Sequence, residues 1–179
     1  TIGANGQGNI VYDGLTIIGS FYLLNPSMST RSMEIKNCDI SVGWFGDGNW
    51  SGIYLELWDG NWIHHNYIHD FGGGIVTALR SEISPLPTFT DTVSVHDNLF
   101  KNIYGQDHVV AMIYTRNIHV FNNRAINEIP TITPIDNMFV DVSAGCENAM
   151  VENNYVYGFV FGMKCESHIN VGTLMNEIR

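Results

Sequence analysis

Acidic side chains recur along this chain at intervals that could gather several of them. Asp47, Asp70, Asp107 and Asp136 stand one to each unit of the repeat described below. Asp favours tight bends because its carboxylate bonds the following backbone, so turn formation is the default role. The chemical alternative is a carboxylate pair in which one member is kept protonated by its surroundings, the machinery of glycosidic-bond hydrolysis. Asp107 adjoins His108, whose imidazole could act as a general base or acid. A second group, His64, His65 and His69, crowds one stretch, with His96 at a place equivalent to His64 and His119 one step off that row. Stacked imidazoles could bind a transition metal. The reading adopted for them is an exposed polar ladder, and no metal ligand is assigned. Neither Cys-x-x-Cys nor a Cys/His zinc spacing occurs.

The elements that must position these groups follow from a repeat. Five stretches place Asn, or an equivalent, between apolar residues in one phase. They read Ile35-Lys36-Asn37-Cys38-Asp39-Ile40, Ile63-His64-His65-Asn66-Tyr67-Ile68, Val95-His96-Asp97-Asn98-Leu99-Phe100, Val120-Phe121-Asn122-Asn123-Arg124-Ala125 and Val151-Glu152-Asn153-Asn154-Tyr155-Val156. A weaker copy is expected at Ile17-Ile18-Gly19-Ser20-Phe21-Tyr22. Repeats of roughly 20–50 residues signal a solenoid. In a coiled β-solenoid one position stacks on its predecessor about 4.8 Å away. A side-chain amide both donates and accepts, so Asn can bond along such a stack, and it tolerates the left-handed backbone of a corner. All five prolines fall between the anchors, outside the expected strands.

At these residues the chain resembles the right-handed parallel β-helix proteins of the pectate-lyase-like superfamily. That group holds polysaccharide lyases, polygalacturonase-like hydrolases, uronan epimerases and phage tailspikes. The resemblance covers residues 9–171 and implies an all-β fold. The expected form is a right-handed single-stranded parallel β-helix of about six to seven coils with an Asn ladder. It also implies Gly-introduced strands at 52–58, 74–80, 109–114, 138–142 and 158–164, with chemistry on their outer face.

Strand alternation turns Tyr54, Glu56 and Trp58 outward, with Arg80, Tyr114, Arg116, Asp141 and Lys164 expected along the same stripe. The candidate catalytic residues are Glu56, Asp107, His108, Asp136 and Asp141. Tyr54, Trp58, Arg80, Tyr114, Arg116 and Lys164 are the candidate substrate contacts. Backbones one coil apart lie about 5 Å apart, near the ~5–5.5 Å of a retaining glycosidase pair. Asp107 with Asp136 or Asp141 fits that class; Asp70 with Asp136, two coils apart, fits the inverting one. Trp44, Trp50, Trp58 and Trp62 suggest an aromatic glycan platform.

Three activities compete. A glycoside hydrolase using paired carboxylates is favoured and needs no cofactor. A polysaccharide lyase or uronan epimerase would use a base among Tyr114, Arg116, Arg80 and Lys164, with cations or Ca²⁺ neutralising the substrate carboxylate. A non-catalytic tailspike or adhesin shaft, assembled as a homotrimer, is the third. Catalytic signatures of the pectate lyase, polygalacturonase and epimerase branches are absent, so the resemblance speaks to fold more than to reaction. It places the protein outside the cell or on a virion surface, with a polysaccharide as partner.

Composition agrees with one domain over 1–179. Hydrophobic residues make up 45%, enough for a continuous core, and no apolar run approaches the ~18 residues of a membrane span. A formal charge of −10 makes nucleic acid and anionic lipid poor partners, because both are held by clustered Lys and Arg. The chain enters and leaves the repeat abruptly, so a fragment of a longer chain, or a protomer whose assembly covers its ends, is expected. Cys146 and Cys165 occupy similar places after successive strands; a free, buried pair is favoured over a disulfide.

Overall fold

The computed structural model of the chain describes residues 2–5, 9–24, 32–41, 51–56, 59–77, 90–103, 108–128, 138–143, 145–159, 161–165 and 174–178. These residues form a parallel β-solenoid. Each coil adds one strand to each of three sheets, and every described pairing is parallel between equivalent strands of adjacent coils. The sheets stack seven, seven and six strands deep.

The first sheet holds Ile2–Asn5, Phe21–Leu24, Ser51–Glu56, Gly73–Thr77, Val110–Ile113, Met138–Ser143 and Phe161–Cys165. The second runs from Ile10–Asp13 through Met33–Lys36, Asp59–His64, Thr90–His96, Thr115–Phe121 and Glu147–Glu152 to Leu174–Ile178. The third contains the three-residue strands Thr16–Ile18, Asp39–Ser41, Tyr67–His69, Leu99–Lys101, Arg124–Ile126 and Tyr155–Tyr157. No helix occurs among the described residues.

Alternation decides which residues fill the interior, since successive side chains of a strand point to opposite faces. Ile35, Ile63, Val95, Val120 and Val151 stack in register down the second sheet. Ile17, Ile40, Ile68, Phe100 and Ala125 do so down the third, and all ten are buried. Fully burying each such aliphatic side chain is worth about 1.5–3 kcal/mol, so the stacked rows supply the driving force for coiling.

The corner between the second and third sheets carries the ladder. Asn66 Nδ2 donates to Asn98 Oδ1 (3.0 Å), Asn98 Nδ2 to Asn123 Oδ1 (3.0 Å) and Asn123 Nδ2 to Asn154 Oδ1 (2.9 Å). Each Oδ1 also accepts the backbone N–H of the ladder residue one coil earlier. The preceding residue takes the left-handed strain: Asn37, His65, Asp97, Asn122 and Asn153 all have φ between 53° and 56°.

Two details differ from the expected repeat. In the second coil the ladder position is Cys38, whose N–H donates to Asn66 Oδ1 (3.0 Å), and Asn37 occupies the left-handed position instead. The weak copy is misplaced as well. Tyr12, not Ile17, pairs with Ile35, and Ile17 pairs with Ile40 in the third sheet. Gly14 (φ 67°) makes that first corner without any Asn, which hides it from an Asn-based pattern.

Cys146 and Cys165 do not stack. Cys165 ends a strand of the first sheet opposite Val142, whereas Cys146 lies buried beyond that sheet, its thiol donating to the Met112 carbonyl (3.1 Å).

Candidate functional site

The outer face of the first sheet gathers part of the expected stripe. One row crosses six coils in register: Tyr22, Tyr54, Val76, Ala111, Asp141 and Lys164. Residues on either side of this row, such as Ile53, Leu55, Val140 and Val142, point into the core. Tyr22 and Tyr54 stack face to face, ring centroids 4.9 Å apart and 15° from parallel. Tyr22 is 38% exposed, so the pair presents an aromatic surface. From Tyr54 to Asp141 the row spans three coil steps, roughly 14 Å along the axis.

At Asp141 two predicted catalytic residues meet. His108, just ahead of the strand Val110–Ile113, places Nε2 3.1 Å from Asp141 Oδ2. Ser143, two residues on and on the same face, donates from Oγ to the same oxygen at 3.4 Å. Asp141 is only 7% exposed although alternation turns it outward. Its second oxygen, Oδ1, is buried with no hydrogen-bond partner among the described residues. His108 and Ser143 therefore both meet Asp141 at Oδ2, and Oδ1 is the buried oxygen of the pair.

Other expected members lie elsewhere. Tyr114 makes the turn out of the first sheet, with φ 47°. Arg116 belongs to the second sheet, where Asp59, Asp91, Arg116 and Glu147 form one row. Its Nε lies 3.7 Å from Asp91 Oδ2, and Asn117 Nδ2 donates to Asp91 Oδ1 (2.8 Å). The reason is that the strand ends at Ile113, Tyr114 alone makes the turn, and the next strand, Thr115–Phe121, already belongs to the second sheet. Trp62 is exposed on the second sheet, pairing with Glu34 and Ser94, and so does not share a face with Tyr54. Asp70 takes the left-handed backbone of a bend (φ 60°), and its carboxylate lies 2.7 Å from His69 Nδ1.

For Glu56 and Lys164 the strand backbone is described but the side chain is not, and Trp58, Arg80, Asp107 and Asp136 lie outside the described residues. Sequence reasoning missed Ser143, Tyr22 and the Asp59–Asp91 pair. Position i+2 from Asp141 was the available signal for Ser143, while the other three required the register. Burial, and then the neighbouring Asp91 charge, push the Asp59 carboxyl above its usual range, and Arg116 partly offsets this.

Compared with known proteins, the chain matches no family model, no curated protein and no solved structure.

Proposed function

We propose that this solenoid engages a polysaccharide along the outer face of its first sheet, outside the cell or on a virion, and cleaves it by acid–base chemistry centred on Asp141 and His108. The observation that carries this reading is the 3.1 Å contact between His108 Nε2 and Asp141 Oδ2, on the same row as the Tyr22–Tyr54 stack. Aromatic faces stack on sugar rings, and an imidazole paired with a carboxylate can accept or deliver a proton at a glycosidic oxygen. In the favoured hydrolytic form Asp141 is one of two carboxylates, with Glu56, Asp107 or Asp136 as the second. Tyr54, Trp58, Arg80, Tyr114, Arg116 and Lys164 stay the candidate contacts, Arg116 from the adjoining sheet.

The same contact supports a second reading, elimination from a uronate, because an imidazole oriented by a carboxylate is a competent base. Ca²⁺ would then serve the substrate carboxylate. The test is a panel of neutral and acidic polysaccharides, read for new reducing ends and for unsaturated-uronate absorbance together. Reducing ends alone, lost in Asp141→Asn, support hydrolysis. Both signals rising, and falling with His108→Asn, support elimination. Neither signal on any polysaccharide would replace both readings with a non-catalytic shaft, a homotrimer in the tailspike case.

A further inference from the structure

Away from that face, the ladder corner carries an unusual set of side chains. Its left-handed position is Asn in three coils, Asn37, Asn122 and Asn153, as backbone preference dictates. Two adjacent coils depart from Asn, with His65 (φ 56°) and Asp97 (φ 54°). The strand residues just before them, in the row Lys36, His64, His96, Phe121, Glu152, are His in the same two coils. Four metal-ligating residues therefore occupy four neighbouring places on one exposed corner.

Their geometry is that of a donor cluster. His65, His96 and Asp97 each offer a ligand atom, all within 4.8 Å of one another. His96 Nδ1 lies 2.8 Å from Asp97 Oδ2, and His64 Nδ1 lies 2.8 Å from His65 Nδ1. A tetrahedral ion with ~2.0–2.1 Å bonds to nitrogen needs donors roughly 3.3 Å apart, inside the range these distances span. The His64 and His96 rings lie parallel, centroids 4.8 Å apart, which fixes their spacing at one coil step. Behind His64, Glu34 Oε1 lies 2.9 Å from Nε2, the carboxylate–histidine arrangement that orients a ligand and leaves Nδ1 as the donor.

We infer that His64, His65, His96 and Asp97 form a binding site for a divalent transition metal such as Zn²⁺, bridging two adjacent coils. Imidazole donors select zinc, copper or nickel over calcium and magnesium. The ion would replace the shared protons of the two 2.8 Å contacts and clip the third coil to the fourth at the corner.

The test is zinc titration of the tag-free chain by calorimetry, with thermal unfolding in zinc and in chelator. His65→Asn and Asp97→Asn are the chosen variants, since Asn already fills this position in three other coils and keeps the backbone. One equivalent of zinc is expected, with affinity falling roughly tenfold or more in each variant and lost in the double variant. His119→Asn, half-buried on the same sheet but outside the cluster, binds as the parent does. Zinc raises the unfolding temperature of the parent and not of the double variant. Absence of saturable binding, or equal binding by the folded double variant, overturns the site.

Discussion

Asp141 Oδ2 accepts from Ser143 Oγ and lies 3.1 Å from His108 Nε2, while Oδ1 is buried with no partner among the described residues. On the proposed acid–base reading, Asp141→Asn keeps the shape and removes the proton-transfer group, so a fall in kcat on the order of 10²–10⁴ is expected with unchanged circular dichroism. Ser143→Ala deletes one donor and should cost much less. Asp59 makes a separate prediction. Its carboxyl is pushed up by burial and then by Asp91, so the folded chain holds that proton more tightly than the unfolded one. Ionising Asp59 therefore costs stability, and the loss develops as pH rises from the ordinary carboxylate value through the raised folded one. Asp59→Asn is expected to raise the unfolding midpoint at neutral pH and to change little below pH ~4, followed by denaturation across pH. A gain that persists undiminished in acid would rule out this origin. Neither prediction was readable from spacing alone. Asp59 and Asp91 are 32 positions apart in the chain and meet only because the coil length brings them into register.

The corner behaves as an element in its own right. Asn98 Oδ1 accepts two bonds from Asn66, and Nδ2 donates to Ile63 O, His96 O and Asn123 Oδ1. Asn98→Ala leaves these buried groups unpaired, and about 2–4 kcal/mol of destabilisation is expected by urea denaturation. A second left-handed column begins the strands of the second sheet at Gly60, Thr92, Asn117 and Asn148. Thr92 is the misfit, a β-branched residue at φ 52°. Thr92→Asn matches the two coils below it and should stabilise by on the order of 1 kcal/mol, read as a higher unfolding temperature. The first corner column was legible in the sequence because Asn recurs there. The second was not, because Gly, Thr and Asn share no visible pattern until register aligns them.

At the scale of the whole molecule, a charge of −10 repels a polyanion at long range, and salt relieves that repulsion. On the proposed reading, initial rates on a polyuronate rise between low salt and about 0.15 M, while rates on a neutral glycan stay flat. A polyuronate rate that instead falls with salt would indicate local attraction strong enough to dominate. The apolar–Asn–apolar repeat by itself determined the solenoid, because each unit buries its apolar face only by stacking on the next, and the Asn amide both donates and accepts along the stack. It also marked Asp141 and His108 as candidates, through alternation and adjacency to Asp107. Only the tertiary structure joined them, and only it moved Arg116 and Trp62 to another sheet. The length of each loop sets which residue begins the next strand, and local sequence preference does not encode that count. The histidine corner shows the same division. Its residues stand out in the sequence, but the ligand atoms of His65, His96 and Asp97 come within 4.8 Å of one another only once two coils are stacked.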